Sequence, residues 1–196
     1  MQQEYDSYQL VLKATEEKVE QLLGRQVTSS NSVERGGIKN LSDGFCYPGT
    51  AAKTIRKFIA VYCDTNSCWK NSSRLFEALQ LLLDYLGKVQ RSDGTFDLPN
   101  TNFYSAPDTA FMCHDLVYSY RMLQKYDPEN NATLSQELND LIEKSGKGLI
   151  EGGFHTPNHR WVIASASMMI YNLTANDRLR ETDLRVMRQV DTGGLA

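Results

Sequence analysis

Residues 152–171 join a polar turn to an almost entirely apolar helix, Gly-Gly-Phe-His-Thr-Pro-Asn-His-Arg-Trp-Val-Ile-Ala-Ser-Ala-Ser-Met-Met-Ile-Tyr. In the second half, residues 164–169 are small or apolar on every side, and a helix that is apolar all round is usually a buried one. Thr156 is the expected N-cap, and Pro157 suits the first helical position because it has no N–H group to satisfy. The segment therefore predicts a buried helix that begins at Pro157.

Three polar side chains follow that start, namely Asn158, His159 and Arg160. They fall in the first helical turn, where free backbone N–H groups and the helix dipole favour an anion. An amide, an imidazole and a guanidinium at this position indicate half of an active site. Asn158 and His159 also have plainer interpretations, because Asn is common near helix starts and a histidine beside Trp161 is often only packed.

The rest of the chain predicts helices joined by loops. Amphipathic spacing predicts a helix at 4–23 and a last polar helix from Asn176. Between them, helices are predicted to start at Thr50, at Asn71 or Ser72, at the capping box Ser105-x-x-Asp108 and at Thr133. Val11 and Phe111 are expected to be buried in their helices. Residues 26–49 have little periodicity and are predicted to form a long loop of the active face. No segment alternates apolar and polar residues long enough to predict a sheet, so the expected fold class is all-α.

Three loops resemble one another, which indicates an internal repeat. Phe45, Phe103 and Phe154 each precede a second ring and a hydroxyl residue, and they lie about one helical hairpin apart. Each loop leads into a largely apolar helix, and an amphipathic helix follows each of these. We therefore predict an inner layer of apolar helices and an outer layer of amphipathic ones, with the three loops forming a cleft on one face.

Composition excludes several classes of function. The chain has 196 residues, enough for one domain, and its formal net charge of -3 gives no electrostatic reason for binding nucleic acid or an anionic membrane. No apolar run approaches the ~20 residues that span a bilayer, and the first residues lack the features of a secretion signal, so a cytoplasmic location is expected. The four cysteines have no zinc-site spacing. We expect no metal and no cofactor.

Two segments resemble bacterial heparinase II/III-like proteins, namely 153–161, with its Pro-Asn-His-Arg-Trp sequence, and 101–111. The loop Tyr47-Pro-Gly-Thr is also similar, and the resemblance covers roughly residues 30–185. These proteins are polysaccharide lyases in which an incomplete (α/α) toroid precedes a β-sandwich domain. The resemblance implies that 1–196 is a single α/α-toroid domain built from helical hairpins, an N-terminal fragment of a larger lyase or a truncated gene product.

The resemblance also implies an activity, the β-elimination of glycans that contain uronic acid by a carbon–oxygen lyase. Asn158 and His159 would be catalytic, since they would neutralise the substrate carboxylate. The substrate contacts would come from Arg160, Trp161, His155, Asn102, Tyr104 and Asp108. The partner would thus be an acidic oligo- or polysaccharide. The family's tyrosine base and a further histidine would lie beyond Ala196, so this chain is expected to lack the base. The hairpins present would not close a toroid, so the apolar side of helix 156–174 would be exposed and the chain is expected to self-associate through it.

Two other functions stay open. A glycoside hydrolase on a similar toroid would need two carboxylates on the active face. Asp43 and Asp108 lie in two of the three similar loops, which we call the sister loops, and could form such a pair. A non-catalytic carbohydrate-binding half-toroid would need neither. Asp108 is equally suited to capping its helix, His155 to packing its loop, and Trp161 to burial between helices rather than to stacking on a sugar.

Overall fold

The computed structural model describes residues 2–99, 101–127, 131–153 and 156–188. The helices in these ranges are α1 (Gln2–Leu23), α2 (Pro48–Cys63), α3 (Ser73–Val89), α4 (Ala106–Tyr126), α5 (Ala132–Glu151), α6 (Pro157–Thr174) and α7 (Asp177–Arg188). Two short antiparallel strands, β1 (Phe96–Leu98) and β2 (Asn102–Ser105), precede α4 and pair Phe96 with Ser105 and Leu98 with Asn102. The predicted all-α fold class is confirmed, because this hairpin is small beside the helices.

The helices form two layers. Helix α4 packs between α2 and α6, and α5 likewise contacts both α3 and α7. Each of α3, α5 and α7 also packs against the helix that precedes it in the chain, while α1 packs against α2. The chain is therefore a row of helical hairpins, with α2, α4 and α6 as the inner layer that the sequence predicts. Closure into a toroid stays a prediction.

The core lies between the two layers, where the apolar stripes of the hairpins meet. Helix α2 contributes Ile55, Phe58 and Ile59, all without exposed surface. Helix α3 has buried leucines at the i, i+4, i+7 and i+11 spacing of one helix face, Leu75, Leu79, Leu82 and Leu86. This periodicity explains why the amphipathic helices form the outer layer.

Helix α6 is not buried all round, so that prediction is wrong. Val162, Ile163, Ala166 and Ile170 are buried, but the opposite side of the helix carries an exposed stripe that includes Trp161. Exposed Asn158, Ser165 and Asn172 and the half-buried Met168 complete this stripe. The reason is tertiary, because α6 packs on α4, α5 and α7 from one side only.

The predicted helix starts are correct where a side chain caps the backbone. Ser72 Oγ accepts from the N–H of Leu75 at 3.3 Å, and Ser105 Oγ accepts from the N–H of Asp108 at 3.2 Å. Helix α6 begins at Pro157 as predicted, although the Thr156 side chain does not cap it. Two starts are wrong, since α2 begins before Thr50 and α5 begins before Thr133.

Two predicted core side chains are also exposed. Val11 is 66% exposed on α1, and Phe111 is 50% exposed on α4. Helical periodicity cannot say which faces a neighbouring helix covers. Phe111 shares the exposed face of α4 with Tyr118 and Lys125, and Val11 lies beside exposed Leu10 on α1. In the ranges that the structure describes, no helix is long and apolar enough to cross a membrane.

The long segment 26–49 is anchored at its middle and is not uniformly a surface loop. The Gln26 side chain donates to the carbonyl of Ala78 at 2.9 Å, and Ile38 is fully buried. Gly36 has φ +96°, and a Cβ there would lie 1.8 Å from the Leu81 carbonyl oxygen, so only glycine fits. The segment therefore packs on α3 before it delivers Tyr47 to the start of α2.

Candidate functional site

The starts of α2 and α4 enclose a cavity of about 230 Å³, which we call the N-terminal cavity. Its lining includes Tyr47, Pro48, Gly49, Thr50 and Lys53 from the start of α2, Asp97 and Leu98 from β1, and Asp108, Phe111, Met112 and Asp115 from α4. Two of the three sister loops thus lead into one space. Because α2 and α4 both present their N-termini to it, their dipoles add to a positive potential there.

Two of the four charged side chains in the described lining of this cavity, Asp97 and Asp115, form ion pairs. Asp115 is buried within α4 and forms an ion pair with Arg56 of α2, with 2.9 Å between Arg56 Nη1 and Asp115 Oδ1. Lys53 lies one turn before Arg56 and is exposed at the cavity. The ion pair therefore joins the two inner helices, and the Lys53 ammonium is placed to meet an anionic ligand.

Tyr104, a predicted substrate contact, belongs to a cluster at the hairpin. Arg91 Nη1 donates to the Tyr104 hydroxyl at 3.1 Å, and the Arg91 guanidinium carbon lies 4.2 Å from the centre of the ring. Arg91 Nε also donates to Asp97 Oδ1 at 2.9 Å, as does the Tyr104 N–H. The hydrogen bonds from Arg91 are the main cause that lowers the pKa of Asp97. Tyr104 has φ +53°, and this network holds that left-handed conformation.

Asn102 and Asp108 meet at the cap of α4. Asn102 Nδ2 donates to Ser105 Oγ at 2.9 Å, and Ser105 Oγ donates to Asp108 Oδ2. Asp108 takes part in the cap as predicted. In the usual capping box its carboxylate would accept from the backbone N–H of Ser105, whereas here it accepts from the Ser105 hydroxyl. Asp108 also lines the N-terminal cavity, so one carboxylate can both fix the helix start and contact a ligand.

The predicted catalytic residues lie at the start of α6. Asn158 is exposed and its Oδ1 accepts from the Thr156 hydroxyl. His159 and Arg160 are half-buried, and His159 Nδ1 is buried without a hydrogen-bond partner among the described residues. Trp161 is 59% exposed. His155 lies outside the described residues.

The predicted site residues thus form two groups. Tyr104, Asn102 and Asp108 lie around the start of α4, while Asn158 to Trp161 lie on α6, and the described lining of the N-terminal cavity contains none of the α6 group. The connection between them is short, because Gly152 at the end of α5 packs on Ala106 at the start of α4. Five residues later α6 begins.

Sequence reasoning missed several residues of this region. Asp108, Phe111 and Asp115 follow the i, i+3, i+7 spacing of one helix face, so Asp115 could have been found from Asp108. Asp97 and Lys53 had no such signal. They reach the cavity only through the hairpin and through the packing of α2 on α4.

The site has no evident metal centre. Within the described ranges, no group of three or more His, Cys, Asp and Glu side chains is arranged to hold a metal ion. The four cysteines are free thiols, of which Cys68 is exposed and the others are buried.

Comparisons with known proteins were made at three levels. No model of a known protein family, no curated protein and no solved structure matches this chain. The resemblance to heparinase II/III-like lyases therefore rests on the sequence segments quoted above.

Proposed function

We propose that this chain is a carbohydrate-active protein, similar to the toroid portion of a polysaccharide lyase, and that it binds glycans containing uronic acid. The observation that supports this best is the N-terminal cavity. It joins the Tyr47-Pro-Gly-Thr loop to the start of α4, two of the segments on which the resemblance rests. It also combines two helix N-termini with the exposed Lys53.

The start of α2 suits a carboxylate. Pro48 has no N–H group, so Gly49 is the first backbone donor, and a Cβ built on Gly49 would meet nothing within 4 Å. A ligand can therefore approach this backbone closely. Lys53, one turn further along the same helix, would supply the positive charge that a uronate needs.

Exposed rings suit the sugar faces. Phe111 lines the cavity and is half exposed, and Trp161 is exposed at the start of the neighbouring inner helix. Aromatic rings offer large apolar area with a small loss of side-chain freedom. A glycan that follows the inner layer from α2 to α6 would place a uronate at Lys53 and further sugars against these rings.

The chemistry that we propose is β-elimination. Asn158 and His159 would donate hydrogen bonds to the substrate carboxylate and so stabilise the negative charge that develops there. A base would then remove the proton on the carbon next to the carboxylate, a carbon–carbon double bond would form, and the glycosidic oxygen would leave. The resemblance implies that a tyrosine of a later inner helix is this base.

The first experiment measures binding by calorimetry. A uronate tetrasaccharide should bind, and its carboxyl-reduced form should bind much more weakly. Lys53→Ala should weaken uronate binding by about ten-fold or more, as is typical when a hydrogen bond to a charged group is lost. Lys13→Ala, which changes an exposed lysine on α1, is the matched control. Equal affinity for the two sugars would exclude the proposal.

The second experiment tests elimination. Asn158→Ala should lower kcat by roughly 100- to 1000-fold, the usual effect of losing one donor to a developing negative charge. Asn172→Ala changes another exposed asparagine of α6 and should leave kcat unaltered. The signal is the ultraviolet absorbance of the unsaturated uronate product, which hydrolysis does not create.

One observation favours the second candidate, a hydrolase. The N-terminal cavity is lined by Asp108 and Asp115, and two carboxylates are the usual requirement for glycoside hydrolysis. The predicted partner Asp43 instead accepts from the Tyr47 hydroxyl at 2.7 Å and is not part of the described lining. Release of saturated sugar that depends on Asp108 and Asp115 would favour hydrolysis over elimination.

A further inference from the structure

A second cavity lies at the opposite ends of the same two inner helices. Its volume is about 340 Å³, within the usual range for small-molecule sites of ~300–1,000 Å³. Tyr8 of α1, Cys63 and Asp64 at the end of α2, and Met122 and Tyr126 at the end of α4 contribute to its lining. We call it the C-terminal cavity, and it shares no lining residue with the N-terminal cavity in the described ranges.

The electrostatics of the C-terminal cavity favour a cation. Asp64 lines it, whereas no lysine, arginine or histidine does so among the residues that the structure describes. Helices α2 and α4 both end here, and each helix C-terminus carries a partial negative charge. The Lys70 ammonium donates to the Cys63 carbonyl at 3.3 Å and offsets part of this potential without lining the cavity.

Asp64 is held in one orientation before any ligand arrives. The Tyr8 hydroxyl lies 2.7 Å from its Oδ1 and 2.8 Å from its Oδ2, and the N–H of Asn66 donates to Oδ1 at 2.9 Å. Asn66 Nδ2 in turn donates to the Tyr8 hydroxyl at 3.1 Å. A carboxylate has about four acceptor positions, so Asp64 keeps capacity for a further positive group.

The remaining lining favours a cation with an apolar surface. The rings of Tyr8 and Tyr126 and the thioether of Met122 are polarisable groups, and ring faces attract organic cations. The Lys125 ammonium lies 5.0 Å from the centre of the Tyr126 ring, so it shares that ring with the ligand and, like Lys70, offsets part of the negative potential. Burial raises the pKa of the Cys63 thiol to about 11, so Cys63 contributes a neutral wall.

We propose that the C-terminal cavity binds a small organic ammonium ion of the methylated or quaternary class, held by Tyr8, Tyr126 and Asp64. An anion would meet the carboxylate and two negative helix ends. A neutral apolar ligand would cover Asp64 without replacing its water, which is costly. A bare metal ion would find one carboxylate among rings. This binding is independent of the proposed glycan site.

The test is a calorimetric titration of the whole chain with choline and with its uncharged isostere 3,3-dimethylbutan-1-ol. Choline should bind with a Kd of about 1–10 mM, which is reasonable for so few atoms. The isostere should bind about ten-fold more weakly, because it lacks the charge that the rings and Asp64 recognise. Equal affinities, or no saturable choline binding by about 100 mM, would overturn the proposal.

Two variants locate the ion. Tyr126→Leu keeps apolar bulk but removes the ring, and choline binding should weaken about two- to five-fold. Tyr118→Leu is the matched control, because Tyr118 is also exposed on α4 but is absent from the described lining. Asp64→Asn should weaken choline binding by about ten-fold and leave the isostere unchanged. Choline binding that both Tyr126→Leu and Asp64→Asn leave intact would refute this site.

Discussion

Gly152, at the end of α5, packs closely against Ala106 at the start of α4, and we expect Gly152→Ala to be strongly destabilising. A Cβ at this position would lie 2.2 Å from Cβ of Ala106 and 2.7 Å from the carbonyl oxygen of Gly148. Carbon atoms in contact are normally about 3.5–4.0 Å apart, so the two helix ends must separate by well over an ångström. Gly152 has φ -74° and ψ 155°, which alanine adopts without strain, so the cost is steric.

The size of this effect follows from the contact. Overpacking usually costs about 1–3 kcal/mol, and a contact to backbone and a short side chain leaves little room to adjust, so we expect about 3 kcal/mol. For a chain of this length each kcal/mol lowers Tm by about 2–4 °C, which predicts a fall of about 6–12 °C. Thermal unfolding followed by circular dichroism measures it.

The neighbouring glycine supplies the control. A Cβ on Gly153 would meet nothing within 4 Å, so Gly153→Ala should be neutral or stabilising by up to about 1 kcal/mol through the unfolded state. The double variant Gly152→Ala with Ala106→Gly removes the opposing methyl group and should recover part of the loss. If Gly152→Ala is as stable as Gly153→Ala, the close contact between α5 and α4 is wrong.

Three further predictions concern buried groups. Gln90 Nε2 is buried and lies 3.0–3.1 Å from the carbonyl oxygens of Gly94 and Leu141 and from Ser145 Oγ. Gln90→Ala should therefore lower the free energy of unfolding, measured by urea titration, by about 2–4 kcal/mol. The control Gln124→Ala changes an exposed glutamine and should alter it little. Burial, with repulsion from neighbouring carboxylates, raises the pKa of Glu137. A raised carboxyl pKa costs stability as the pH rises from the unfolded value of 4.5 through the folded pKa. Glu137→Gln should therefore stabilise the protein at pH 7 and lose this advantage as the pH falls to 4.5; a gain that does not vary with pH would contradict this. Cys68 is exposed whereas Cys46, Cys63 and Cys113 are buried, so one thiol should react first with a disulfide reagent in the native protein, and Cys68→Ser should abolish that phase.

The sequence could predict those parts of the fold that depend on local hydrogen bonds. Ser72 and Ser105 cap their helices because each hydroxyl reaches an N–H three residues ahead, a relation that the sequence itself contains. The start of α2 differs from the sequence prediction, because Tyr47 is the N-cap and Pro48 takes the first helical position, whereas the sequence also offers Thr50 as a cap. Two local rules thus give different starts for the same helix.

The hairpin β1–β2 could not be predicted in the same way. Its conformation depends on the guanidinium of Arg91, which reaches both Asp97 and Tyr104. The left-handed conformation of Tyr104 follows from these contacts and has no signal in composition or periodicity. The candidate site has the same limit, since Lys53 and Asp115 share a cavity only because α2 packs on α4.

The two cavities are related by the direction of the inner helices. Because α2 and α4 run in the same sense, both N-termini meet at one cavity and both C-termini at the other. Each helix end carries about half an elementary charge, so the pair contributes about one positive charge to the first cavity and about one negative charge to the second. Asp115 and Asp97 offset the positive end less than their number suggests, since Arg56 and Arg91 pair with them, whereas Asp108 offsets part of it. An antiparallel arrangement of the same helices would cancel these fields. The hairpin repeat itself therefore favours an acidic ligand at one end of the inner layer and a cationic ligand at the other.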